Sequence, residues 1–208
     1  MTASAMPTCC ANYCARHESN IQCAMPETPI HQIFLSAHPS TQCDSIQRLD
    51  VRLSFQSPGV ATLRYTLRAD MSHIRVGAEG PPGSSDGLWK HTCFEAFLRP
   101  GESAGYYEFN FSPTRQWAVY RFDSYRQGMT PMDLANPPVI STQRAADHLE
   151  LEATFPLPFS TDSGAARRTK LALAAVVEEE SGRLSYWSGR HPQGKPDFHH
   201  SDGFAFEL

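Results

Sequence analysis

Glu95, Glu108, Asn110, Arg121 and Arg126 all fall within one stretch of this 208-residue chain, Asp86 to Met129. Each is a planar side chain that accepts or donates two hydrogen bonds, the kind of group that holds the paired hydroxyls of a sugar. Trp117 and Trp187 offer flat apolar rings able to stack on the C–H faces of a sugar ring, with Tyr106 beside them and Trp89 as a further candidate. His199, from a loop near the C-terminus, completes the set of predicted ligand-binding residues. A core position for each tryptophan is the competing reading, because large aromatics are highly buried on average.

The same residues admit other chemistry. Glu95 and Glu108 become close neighbours if their strands pair, and a glycosidase would also need their pKa values separated and their spacing set. Ion pairing with Arg121 or Arg126 is the alternative, giving a structural or protein-interaction face. Cys93 has His91 two residues away, but such strand neighbours meet poorly for nucleophile activation, so Cys93 reads as a packed small residue. His191, His199 and His200, near Asp197 and Asp202, lack the paired spacing of a zinc site. One of these histidines is expected to hydrogen-bond backbone and pin its loop over a pocket. The sequence holds no D-x-D-x-D-G calcium loop, no C-x-x-C-H haem attachment and no Rossmann fingerprint.

A sheet must position these side chains. Cys93 to Leu98, Tyr106 to Phe111 and Trp117 to Phe122 alternate with period two, as half-buried strands do. The polar loop from Arg99 to Gly105 and the turn from Ser112 to Arg115 separate them. Parity predicts a core face of Phe94, Ala96 and Leu98, then Tyr107, Phe109 and Phe111, then Ala118, Tyr120 and Phe122. The opposite face carries Glu95, Tyr106, Glu108, Asn110, Trp117 and Arg121. It reads as the wall of a groove, or a face that another segment covers.

Elsewhere, strands are predicted over Ile30–Leu35, Ser45–Phe55, Val60–Arg68, Ile74–Val76, His148–Phe155, Lys170–Val177, Leu184–Ser188 and Phe204–Leu208, with another beginning at Val139. Only Ser160–Arg168 has mild helical character. Ten or more short strands with turns between them predict an all-β, antiparallel β-sandwich of jelly-roll type with little helix. Residues 29–208 form a single domain on this reading. Residues 1–28, with Cys9, Cys10, Cys14 and Cys23, are expected to be a disordered leader, with Met25 as an alternative start. The 18 basic and 22 acidic residues form no basic stripe for nucleic acid or an anionic membrane. Neither a bilayer-spanning apolar run nor a secretory signal is visible, so a cytoplasmic location with reduced cysteines is expected.

Several motifs together carry a resemblance: Asp86-Gly-Leu-Trp with His91-Thr-Cys-Phe-Glu-Ala-Phe-Leu98, Tyr107-x-Phe-Asn-Phe-Ser-Pro113, Tyr125-Arg-x-Gly-Met129, Tyr186-Trp187, and His191-Pro-x-Gly-Lys-Pro-Asp-Phe-His199. The chain from Ile30 to Leu208 resembles bacterial DOMON-like domains related to family 9 carbohydrate-binding modules. The resemblance implies a jelly-roll sandwich with one small-ligand pocket. Relatives bind sugars, haem or other small ligands, and related modules carry structural calcium. Haem-binding DOMON domains use Met and His ligands, which Met71, Met129 and the histidines at 73, 191, 199 and 200 could supply. Sequence and resemblance together predict a non-catalytic domain that binds a saccharide or glycan fragment, with a haem or redox-cofactor domain as the alternative.

Overall fold

The computed structural model describes residues 31–78, 80–159 and 168–207. The expected leader, residues 1–28, and residues 160–167 of the mildly helical segment lie outside the described residues.

Apolar residues at every second position favour strands that bury one face. The first layer is built from β1 (His31–Ala37), β2 (Ile46–Ser57) and β3 (Val60–Ala69). On β2, Leu49, Val51 and Leu53 are buried while Arg48 and Arg52 are exposed. Two two-residue strands follow, β4 (Ile74–Arg75) and β5 (Gly83–Ser84). The stretch read as central gives β6 (Cys93–Arg99), β7 (Tyr106–Phe111) and β8 (Gln116–Phe122). Then come β9 (Thr130–Pro131), β10 (Val139–Arg144), β11 (His148–Pro156), β12 (Lys170–Glu179), β13 (Leu184–Ser188) and β14 (Phe206–Glu207).

The strands run in the order β10-β11-β3-β2-β1-β13-β12-β6-β7-β8-β5. β1 links two layers: Leu35 pairs with Leu49 of β2, whereas Ser36 and Ala37 pair with Ser188 and Trp187 of β13. The sheet therefore curls over itself into a β-sandwich. The pairing is antiparallel except for β5 with β8, which is parallel.

The interior between the layers is aromatic and aliphatic. Phe155 of β11 meets Phe109 and Phe111 of β7 at ring separations of 4.5 and 5.3 Å. Tyr65 of β3 lies 5.0 Å from Phe94 of β6 and donates its hydroxyl to the Glu95 carbonyl at 2.8 Å. Each such large side chain contributes about 1.5–3 kcal/mol by leaving water. β12 (KLALAAVVEE) is buried along almost its whole length, because it has the interior on one side and a second cluster on the other. Among the described residues, no helix is long and apolar enough to cross a membrane.

Candidate functional site

Strand register decides which side chains share the outer face of β12, β6, β7 and β8. Glu95 stands opposite Asn110, and Phe97 opposite Glu108, so both carboxyls point away from the sandwich interior. Glu108 in turn faces Tyr120, and Tyr106 faces Phe122. The Tyr106 and Phe122 rings stack at 4.8 Å with planes 6° apart.

The parity predicted for β8 is one residue out. Trp117 and Val119 pack in the interior, while Ala118, Tyr120 and Phe122 belong to the outer cluster. The turn explains the shift. Ser112 and Gln116 close a loop of three residues, 113–115, by a 2.8 Å backbone hydrogen bond. Its last member, Arg115, is left-handed (φ 66°). An odd loop length reverses the parity that an even one would give. Both faces of β8 carry buried apolar side chains, Trp117 and Val119 on one and Ala118, Tyr120 and Phe122 on the other, so hydrophobicity alone does not choose between them.

Three segments cover the outer face: the short 3-10 helix Leu88–Lys90, the tight turn at 124–127 with Met129, and the chain from 189 to 205. They enclose a cavity of about 340 Å³, at the low end of the roughly 300–1,000 Å³ typical of ligand sites. The sheet supplies Glu95, Glu108, Phe122, Val176 and Tyr186 to it. The covering segments supply Trp89, Arg126, Met129, Pro196, Phe198 and His199. The Trp89 ring is held edge-on against Tyr120 at 5.6 Å.

The acidic groups are unusual for their burial. Glu95 is 3% exposed, and its Oε1 finds no hydrogen-bond partner among the described residues. Burial, with the neighbouring Glu108 charge, pushes its carboxyl well above the ordinary range against the pull of Arg126. Glu108 is pushed up to about 7, again by burial, although Asn110 and Arg126 oppose the shift. Asn110 donates to Glu108 Oε1 at 2.8 Å, and the buried Cys93 thiol donates to Asn110 Oδ1 at 3.5 Å.

His199 is pushed down to about 4 by burial and by the Arg126 charge. Its imidazole is therefore neutral where Glu108 titrates, and their 3.8 Å contact is not an ion pair. The Tyr106 hydroxyl accepts the Arg126 backbone N–H at 3.2 Å. Its own proton then has His199 Nδ1, 2.8 Å away, as acceptor. That tautomer leaves Nε2–H directed at Glu108. Arg126 itself sits in the left-handed region (φ 54°), with its guanidinium on Asp197 at 2.8 Å.

Of the predicted ligand-binding residues, the structure brings Glu95, Glu108, Arg126 and His199 to the cavity. Asn110 is fully buried behind Glu108 and orients it. Trp117 and Trp187 are interior residues, and Trp187 donates to Ser185 Oγ at 3.0 Å. Arg121 is exposed and bound to Asp123 at 3.1 Å. The rings that do reach the cavity include Trp89 and Tyr186, the second one residue from the tryptophan expected there. Met129, Pro196 and Phe198 lie in loops without periodicity, and their presence had no sequence signal beyond the motifs themselves.

The loop pin is His191, whose Nε2 lies 2.8 Å from the Ser36 carbonyl. Cys93 is a fully buried thiol raised well above its ordinary pKa, first by burial, which fits the packed residue expected. His91 pairs with Glu178 instead, at 2.8 Å. Met71 belongs to the sandwich interior. Among the described residues, no group of three or more His, Cys, Asp or Glu side chains is placed to hold a metal ion.

No protein-family model matches the chain, and no curated protein sequence matches it. Solved structures do. A candidate carbohydrate-binding protein from Bacteroides uniformis superposes with a TM-score of 0.61 at 12% identity, covering 85% of this chain and 84% of that one. A family 9 carbohydrate-binding module from Caldicellulosiruptor kristjanssonii, in complex with glucose or with cellotriose, gives a TM-score of 0.48 in each case. Both comparisons have 12% identity and cover 79% of this chain, with 76% and 75% of the other. The likeness to the Bacteroides protein is one of fold.

Proposed function

We propose that the cavity binds a saccharide or glycan fragment without transforming it. The observation that carries this reading is Glu95, a buried carboxyl with an unpaired oxygen in a cavity walled by Trp89, Tyr186 and Phe198. Buried polar groups are nearly always paired, so an orphan at a cavity calls for a partner from outside the chain. Held as a neutral acid, Glu95 both donates and accepts, which suits a hydroxyl. The rings suit the apolar faces of the same molecule. The Bacteroides uniformis protein that shares the fold is a candidate carbohydrate-binding protein. The DOMON-like relation and the cytoplasmic location expected from the sequence belong to the same reading.

Thermal shift of the full chain against mono- and disaccharides, nucleotide sugars, haem and divalent metals tests the reading. A ligand at a hundred times its Kd adds about 2.7 kcal/mol to the folded state. The expected result is a raised melting temperature with one class of sugar. A shift with haem or a metal and none with any sugar would overturn it.

A further inference from the structure

A second cavity, of about 410 Å³, adjoins the first and shares His199 with it. Its lining includes Arg99, Tyr106, His200, Ser201 and Phe204, and no carboxylate. His199, hydrogen-bonded to Tyr106, thus lines both cavities, and Tyr106 lines the second. Arg99 lies on the same strand and the same face as Glu95, four residues on, or roughly 13 Å along the strand. Only a ligand longer than one sugar ring reaches both.

The two cavities differ in charge. Arg126, in the first, is bound to Asp197. Arg99, in the second, has no carboxylate partner among the described residues. Its guanidinium is stacked 4.2 Å over Phe204, which fixes its position while leaving its N–H edges open. It also stands directly opposite Lys170 of β12, and like charges so placed repel. Lys170 has Glu102 at 3.9 Å and Glu207 across the next strand pair to offset its own charge. His200 accepts the Asp202 N–H on Nδ1, so in the neutral ring Nε2 carries a proton that can be donated.

We propose that the second cavity takes an anionic substituent, a carboxylate or a sulfate or phosphate ester, on a unit adjoining the sugar held in the first. A guanidinium fixed on a ring offers a planar fork that matches such oxyanions. The inference rests on the saccharide reading of the first cavity and adds acidic glycans as its substrate class.

A glycan array carrying matched neutral, uronate, sulfated and phosphorylated oligosaccharides tests it, with the full chain and with Arg99→Met and Glu95→Ala. Arg99→Met keeps an apolar stem over Phe204, and melting curves check that it folds. The expected result is that acidic glycans bind at least tenfold better than their neutral partners. Arg99→Met should erase that preference but keep neutral binding, whereas Glu95→Ala should remove both. The acid type bound best separates carboxylate from ester. Equal binding of neutral and acidic partners, or an acidic preference that survives Arg99→Met, would overturn the second subsite alone. An array with nothing bound would overturn both readings.

Discussion

Glu95 and Glu108 make the folded protein hold protons that the unfolded chain releases. Glu108 rises from its ordinary 4.5 to about 7, and Glu95 goes well above the ordinary range. Between the unfolded and folded values the native state binds more protons, so stability falls as pH rises. His199 acts oppositely: lowered from 6.5 to about 4, it adds stability as pH rises through that window and nothing further above it. The acid effect is therefore cleanest above the histidine range. The melting temperature of the ligand-free protein should fall as pH rises from 6.5 to 8, and Glu108→Gln should make that slope shallower in differential scanning calorimetry, leaving the part due to Glu95. A wild-type curve already flat there would contradict the raised Glu108. Residue types in the site were legible in the sequence, since carboxylates and an amide among rings on one strand face are odd for a solvated surface. Their division of labour was not. Asn110 lies behind Glu108, and one-residue parity separates Tyr186 from Trp187 and Tyr120 from Arg121.

At the scale of elements, the three central strands and most others begin and end within a residue or two of the pattern that predicts them. Period-two alternation marks them because one face is buried whatever the register. Register itself depends on turns, and the one after β7 hides its type by placing arginine, not glycine or asparagine, in the left-handed position. The covering segments are likewise unmarked by periodicity, although the Pro- and His-rich run after Gly189 suggests a loop over a pocket. That loop is tied to the first layer through His191 and the Ser36 carbonyl, and to the second layer through Ser188, whose hydroxyl donates to the Arg190 carbonyl at 3.0 Å. The turn after β8, with Arg126 and Gly128 both left-handed, is shaped by backbone: a Cβ on Gly128 would collide with the Asp123 carboxylate. His191→Ala should release the loop end and weaken sugar affinity several-fold in calorimetric titration. The loss in stability should be within about 0.5–1.5 kcal/mol, the net value of one hydrogen bond. Unchanged affinity would mean the pin does not hold the site.

Over the whole molecule, the sandwich interior and the ligand cavity lie on opposite faces of the same four strands. Phe94, Ala96 and Leu98 fill the interior, while Cys93, Glu95 and Phe97 lie on the outer face, where Glu95 reaches the cavity. The interior strut from Tyr65 to the Glu95 carbonyl fixes the backbone that aims this carboxyl. Fold class could be read from strand count and turn spacing, because those depend on local pattern. The closure of two layers through β1 depends on long-range pairing that no local pattern encodes. The central claim, that this rigid double-faced sheet offers Glu95 to a sugar, is tested most directly by titration calorimetry. The full chain and Glu95→Ala are each titrated with the sugar that raises the melting temperature most. Removing a partner of a buried hydrogen bond costs about 1–3 kcal/mol, and each 1.4 kcal/mol is a factor of about ten in Kd. The account predicts at least a tenfold loss of affinity in Glu95→Ala with no fall in its ligand-free melting temperature, since the change removes an unpaired buried carboxyl. Equal affinity in the two proteins would contradict it.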